Sequence, residues 1–81
     1  MNAADIKAHV FRILAGIAPE ADLEGLGEDQ DLRETLDLDS MDFLNFVTAL
    51  DQDLHVAVPE GDYAALATLK GCVDYLAPRS S

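Results

Sequence analysis

Residues 40–54, Ser40-Met41-Asp42-Phe43-Leu44-Asn45-Phe46-Val47-Thr48-Ala49-Leu50-Asp51-Gln52-Asp53-Leu54, decide the fold. Phe43, Phe46, Val47, Leu50 and Leu54 recur at spacings of three and four and gather on one side of a helical wheel. Asp42, Asn45, Thr48, Ala49 and Gln52 occupy the opposite side, and Met41 falls on that polar side close to Ser40. Such a stretch is an amphipathic helix, whose apolar stripe has to be covered by other elements.

The elements expected to cover it lie on either side. In residues 3–17, Ile6, Val10, Ile13, Leu14 and Ile17 form a second helical stripe, widened by Phe11, with Lys7 and Arg12 off it. Asn2 followed by Asp5 resembles a capping pair, and Gly16 and Pro19 mark the exit. Residues 18–39 form a long irregular stretch broken by Gly25 and Gly27. Leu23, Leu26, Leu32, Leu36 and Leu38 pin it to the core, with a short helical turn near residues 31–35. A loop of this length in so small a domain is often functional. After residue 54, Val56-Ala57-Val58-Pro59 reads as an extended connector, and Glu60 to Leu66 as a short third helix. Thr68 caps a last helix that buries Leu69, Cys72, Val73 and Leu76, with Pro78 beyond its end. The expected fold is all-α: a small four-helix-type bundle of three main helices plus a short third one, with a long loop after the first. Residues 1–78 read as one domain and residues 79–81 as a frayed tail.

Bulk properties narrow the function. Eighty-one residues suffice for one small core but hardly for a deep cleft. The single cysteine, Cys72, excludes an intramolecular disulfide and a cysteine metal cluster, and suits a reducing, cytoplasmic setting. Met1-Asn2-Ala3-Ala4-Asp5 lacks the basic and apolar regions of a signal peptide, and no apolar run approaches a membrane span, so no membrane insertion is expected. The net charge of −11 argues against nucleic acid as a partner. Residues 20–62 concentrate it, with fourteen acids against the single base Arg33, a net −13. Those acids are interleaved with leucines and phenylalanines, so the segment reads as the acidic face of a folded monomer suited to Lys- and Arg-bearing partners.

Few residues could carry chemistry. Asp37-x-Asp39-x-x-Asp42 and Asp51-x-Asp53 lack the glycine and glutamate that complete a calcium loop. His9 and His55 have no metal-ligand spacing, and Cys72 sits at an apolar helical position where a small core residue is the simplest reading. Ser40 has no G-x-S-x-G elbow around it. Neither a metal site nor a catalytic residue is expected, and the protein is read as not itself an enzyme. Asp39-Ser40-Met41-Asp42 therefore stands out. Taken alone, Ser40 reads most simply as a helix N-cap. The second reading is an attachment point for a phosphate-linked group, since a helix N-terminus offers free N–H donors and a favourable dipole.

From Leu36 onward the chain resembles the acyl carrier protein family. The resemblance lies in Leu36-Asp37-Leu38-Asp39-Ser40-Met41-Asp42, in Leu44 to Leu50 with Asp51-Gln52-Asp53-Leu54, and in Val56-Ala57-Val58-Pro59. It continues through Leu66-Ala67-Thr68-Leu69 and Val73-Asp74-Tyr75-Leu76. It covers the C-terminal half closely, whereas the first helix and long loop agree only in pattern and length. The resemblance implies that Ser40 carries 4′-phosphopantetheine, transferred from coenzyme A by a magnesium-dependent phosphopantetheinyl transferase. The arm's thiol then holds acyl or aminoacyl groups as thioesters. It implies Asp39 and Met41 as immediate recognition context, with Asp42, Asn45, Thr48 and Gln52 as the docking face. The partners implied are acyl-loading and acyl-using enzymes of fatty acid, lipid or polyketide biosynthesis with basic docking patches. Asn45 stands where fatty-acid carriers are often acidic, Gln52 interrupts an often wholly acidic run, and Leu38 replaces a residue that is commonly glycine or alanine. Phe43 and Phe46 stand where smaller side chains are common. These departures point to a specialised carrier. The alternatives are an acidic helical protein-interaction module in which Ser40 is only an N-cap, and an acidic calcium-binding domain.

Overall fold

A computed structural model describes residues 1–80. It contains α1 (Ala3–Ile17), α2 (Leu32–Thr35), α3 (Ser40–Leu54), a 3₁₀ helix (Glu60–Leu66) and α4 (Leu69–Leu76). The expected all-α bundle is the observed one, with the short third helix wound as 3₁₀.

Each long helix starts where a side chain can satisfy its free amides. Asn2 accepts the Asp5 N–H at 2.9 Å to open α1, and Thr68 accepts the Gly71 N–H at 2.9 Å to open α4. The apolar stripes then meet. Ile6, Val10 and Leu14 of α1 are fully buried against Phe46, Val47 and Leu50 of α3 and Leu69, Cys72 and Leu76 of α4. Phe43 and Phe46 pack with centroids 6.0 Å apart and rings tilted by 45°. Across the surface of the α1–α3 contact, Arg12 pairs with Asp53 and holds its carboxyl below the ordinary aspartate value; His9 lies 3.6 Å from the same carboxylate. His55, in the left-handed conformation at φ 55°, ends α3 and turns the chain towards buried Val56.

The long loop is stitched to the rest of the molecule. Leu32 is fully buried, its N–H donates to the Ala67 carbonyl at 2.8 Å, and the Lys70 N–H donates to the Glu28 carbonyl at 3.0 Å. Asp31 and Thr68 form an antiparallel bridge between these bonds. Leu26 and Leu38 are buried, whereas Leu23 and Leu36 are half-buried. The leucines thus pin the loop as expected, Leu32 most completely.

Within the tail expected over residues 79–81, Arg79 and Ser80 make hydrogen bonds back to α4. The N–H groups of Arg79 and Ser80 both donate to the Leu76 carbonyl, at 3.1 and 2.8 Å, satisfying an acceptor that the end of α4 would leave open. The Arg79 guanidinium lies 3.9 Å from the Tyr75 ring centroid and donates to the Tyr75 carbonyl. Ser81, the remainder of that expectation, lies outside the described residues.

Gly71 lets α4 approach the 3₁₀ helix closely. A Cβ there would collide with the Ala65 carbonyl oxygen, a backbone atom that cannot rotate away. Gly71→Ala is therefore expected to destabilise the protein by about 1–3 kcal/mol. Urea unfolding would check this, and an unchanged midpoint would mean that the 3₁₀ helix gives way freely.

Candidate functional site

The start of α3 is built by the residues immediately before it. α2 closes on Leu36, whose N–H reaches the Leu32 carbonyl at 3.1 Å. Asp37 then takes the left-handed conformation at φ 55°, and the Leu38 N–H returns to the Arg33 carbonyl at 2.8 Å. This is the six-to-one bond of a Schellman turn, with aspartate where glycine is usual. Buried Leu38 anchors the turn in the core and leaves Asp39 extended, at φ −81° and ψ −178°.

Asp39, not Ser40, is the N-cap of α3. Its Oδ1 accepts the Asp42 N–H at 2.8 Å, and Asp42 Oδ2 accepts the Asp39 N–H at 3.3 Å, so the two carboxylates form a reciprocal capping box. Both negative charges sit at the helix end that favours them. This corrects the simplest reading of Ser40. Serine and aspartate are comparable caps, and only the backbone angles distinguish adjacent candidates. Ser40 is the first helical residue, exposed and relieved of capping.

Its hydroxyl meets one side chain among the described residues. Arg33 Nη2 donates to Ser40 Oγ at 3.3 Å, and the guanidinium carbon lies 5.7 Å from the Phe43 ring centroid. Arg33 carries the sole positive charge of residues 20–62, and its place beside Ser40 was not read from the sequence. The contact depends on the left-handed turn at Asp37, which no local pattern announces. The one available signal was a lone base in an acidic window, seven residues ahead of the serine.

The other candidate residues lie along α3. Met41, Asn45, Thr48 and Gln52 follow one another at helical spacing and are all exposed, Met41 to 63%. Asp42 is half-buried within the capping box. Leu44, 42% exposed, joins Met41 and Thr48 on this surface; the sequence reading did not place it there. Cys72 is fully buried, and burial pushes its thiol up to about 12. Among the described residues, no group of three or more His, Cys, Asp or Glu side chains is arranged to hold a metal ion. No helix there is long and apolar enough to cross a membrane.

The cap assignment separates two neighbouring alanine substitutions. Asp39→Ala should cost about 1 kcal/mol of stability, whereas Ser40→Ala should stay within about 0.5 kcal/mol of the parent. Chemical denaturation of both variants checks this, and the reverse order would return the cap to Ser40.

Comparison with known proteins identifies the family. The family model of the phosphopantetheine attachment site matches residues 8–76, from within α1 to the end of α4. No curated protein matches the chain. The residues at the start of α3 suit the group that defines the family: an exposed primary alcohol can form a phosphoester, and a guanidinium lies within hydrogen-bond reach of it. The chain belongs to the phosphopantetheine attachment site family, with 4′-phosphopantetheine as its covalent cofactor.

Proposed function

We propose that Ser40 is the attachment residue and that the protein is a discrete acyl carrier, not itself an enzyme. It would present acyl or aminoacyl intermediates to cytoplasmic enzymes of fatty acid, lipid or polyketide biosynthesis. The observation that carries this reading is the division of labour at the head of α3. Asp39 holds the helix, so the exposed Ser40 hydroxyl is left for chemistry. The rival role for Ser40, as the cap of an acidic interaction module, is already filled by its neighbour.

The side chains present define what the protein contributes. The one group bonded to Ser40 Oγ among the described residues is a guanidinium, which donates and cannot take up a proton. The base that removes the Ser40 proton therefore belongs to the transferase. Ser40 Oγ forms a bond to the β-phosphorus of coenzyme A, the pyrophosphate P–O bond breaks, and the nucleotide half leaves. Once attached, the arm supplies a terminal thiol that holds the acyl group as a thioester.

The docking face is Asp39, Met41, Asp42, Asn45, Thr48 and Gln52, to which Leu44 adds apolar surface. Apart from Asp39 and Asp42 at its head, this face is uncharged. That suits partners that set an apolar socket on Met41 and Leu44 and place basic residues near the head of α3. The paired rings of Phe43 and Phe46 fill the core behind the face, which favours short over long cargo.

Incubation with coenzyme A, magnesium and a broad-specificity phosphopantetheinyl transferase, followed by intact mass measurement, tests the reading. The parent should gain one arm and Ser40→Ala none. Met41→Glu should be loaded roughly tenfold more slowly, at an unchanged melting temperature. A maleimide should label the native loaded protein at the arm and spare the unloaded one, because Cys72 is buried and remains a thiol near neutral pH. A folded parent that gains no mass overturns the assignment.

The specialised role has a separate test. Enzymes of fatty-acid synthesis should acylate the loaded protein much more slowly than a fatty-acid carrier assayed beside it. Equal rates would reject specialisation while leaving the carrier function intact.

A further inference from the structure

We propose that Arg33 is a positioning residue for the prosthetic group, holding the phosphodiester at Ser40 against its acidic surroundings and fixing the direction in which the arm leaves the protein. This rests on Ser40 being the attachment residue. The nitrogen Arg33 Nη2 already lies 3.3 Å from the oxygen that would become the ester oxygen. Esterification removes the hydroxyl proton and places anionic oxygens one bond beyond Oγ. Anionic oxygens are much stronger acceptors for a guanidinium than a neutral hydroxyl, and the planar fork of arginine can engage two of them.

The surroundings of Arg33 differ from those of the two cations that form ion pairs. Lys7 pairs with Glu28, and Arg12 pairs with Asp53. Arg33 stands in the most acidic part of the chain, beside Glu34 and close in sequence to Asp37, Asp39 and Asp42. Yet among the described residues no carboxylate oxygen lies within 4.0 Å of its nitrogens. The Asp39 and Asp42 carboxylates accept each other's backbone N–H groups across the capping box. Phe43 supports the guanidinium from the core side, and the Arg33 carbonyl is bonded to the Leu38 N–H, two residues ahead of Ser40. Both the head group and the backbone of Arg33 are therefore referenced to the start of α3. Without this cation, a phosphodiester at Ser40 would face only like charge nearby.

The test couples loading of the arm to substitution of Arg33. Unloaded and loaded forms of the parent, Arg33→Ala, Arg33→Gln and Arg33→Lys would be melted in low and high salt, with Arg79→Ala as a control. The ³¹P resonance of each loaded form would also be recorded. Loading should lower the melting temperature of Arg33→Ala and Arg33→Gln by roughly 4–8 °C more than it lowers that of the parent or Arg79→Ala. High salt should shrink this difference, and Arg33→Lys should recover part of it. The ³¹P resonance should move in Arg33→Ala and Arg33→Gln but stay in place in Arg79→Ala. If Arg33→Ala and Arg33→Gln melt equally lower in both forms and their ³¹P resonance does not move, Arg33 only supports α2, and the proposal is overturned while the carrier function stands. A parent that gains no arm overturns both.

Discussion

The burial of Leu32, with its amide bonded to the Ala67 carbonyl, is the constraint on which the working end of this protein depends. A four-residue helix has no stability of its own, because forming a single turn costs more backbone freedom than its hydrogen bonds return. α2 exists because Leu32 is held in the core from one side while its backbone is joined to the chain entering α4. Burying one leucine contributes about 1.5–3 kcal/mol, and each backbone bond about 1 kcal/mol net. Everything downstream is measured from that point: the left-handed turn at Asp37, the anchor of Leu38, the cap of Asp39 and the hydroxyl of Ser40. The long loop is thus part of the construction of the head of α3.

A domain of this size manages its chemistry by leaving most of it elsewhere. Its own side chains provide a hydroxyl, a guanidinium and a surface, and carrier domains of this family work with separate enzymes for loading and use. The hard electrostatic problem is local. Residues 20–62 carry a net −13, and a phosphoester adds to it. The Asp39 and Asp42 carboxylates, on either side of Ser40 in the chain, are tied to backbone amides at the head of α3. Part of the acidic charge of this segment therefore also holds the helix that begins at the serine.

The helices were legible to a degree that follows from their chemistry. Residues 3–17 and 40–54 have stripes of buried side chains and firm stop signals, and both expected ranges coincide with the observed helices. The cap of α3 was misplaced by one residue because Asp39 and Ser40 are chemically equivalent candidates. Their roles are settled by Leu38, which is buried and sets the angle at which the chain enters the helix. Arg33 was illegible for a different reason. Its contact with Ser40 spans a turn whose left-handed residue is an aspartate, where glycine would have advertised it. Past the end of α4, the Tyr75 ring and the Leu76 carbonyl engage Arg79 and Ser80, contacts that no helical periodicity announces.

The Schellman turn between α2 and α3 has a mechanical consequence. From Arg33 to Asp42 the chain is tied by the Leu38–Arg33 backbone bond across the turn and by two side-chain bonds in the capping box, with Leu38 clamped beneath. A tether fixed at Ser40 would swing from a pivot that those bonds hold in place. The distance its cargo could travel would then be set by the length of the tether, with the swing beginning at one fixed point on the helix.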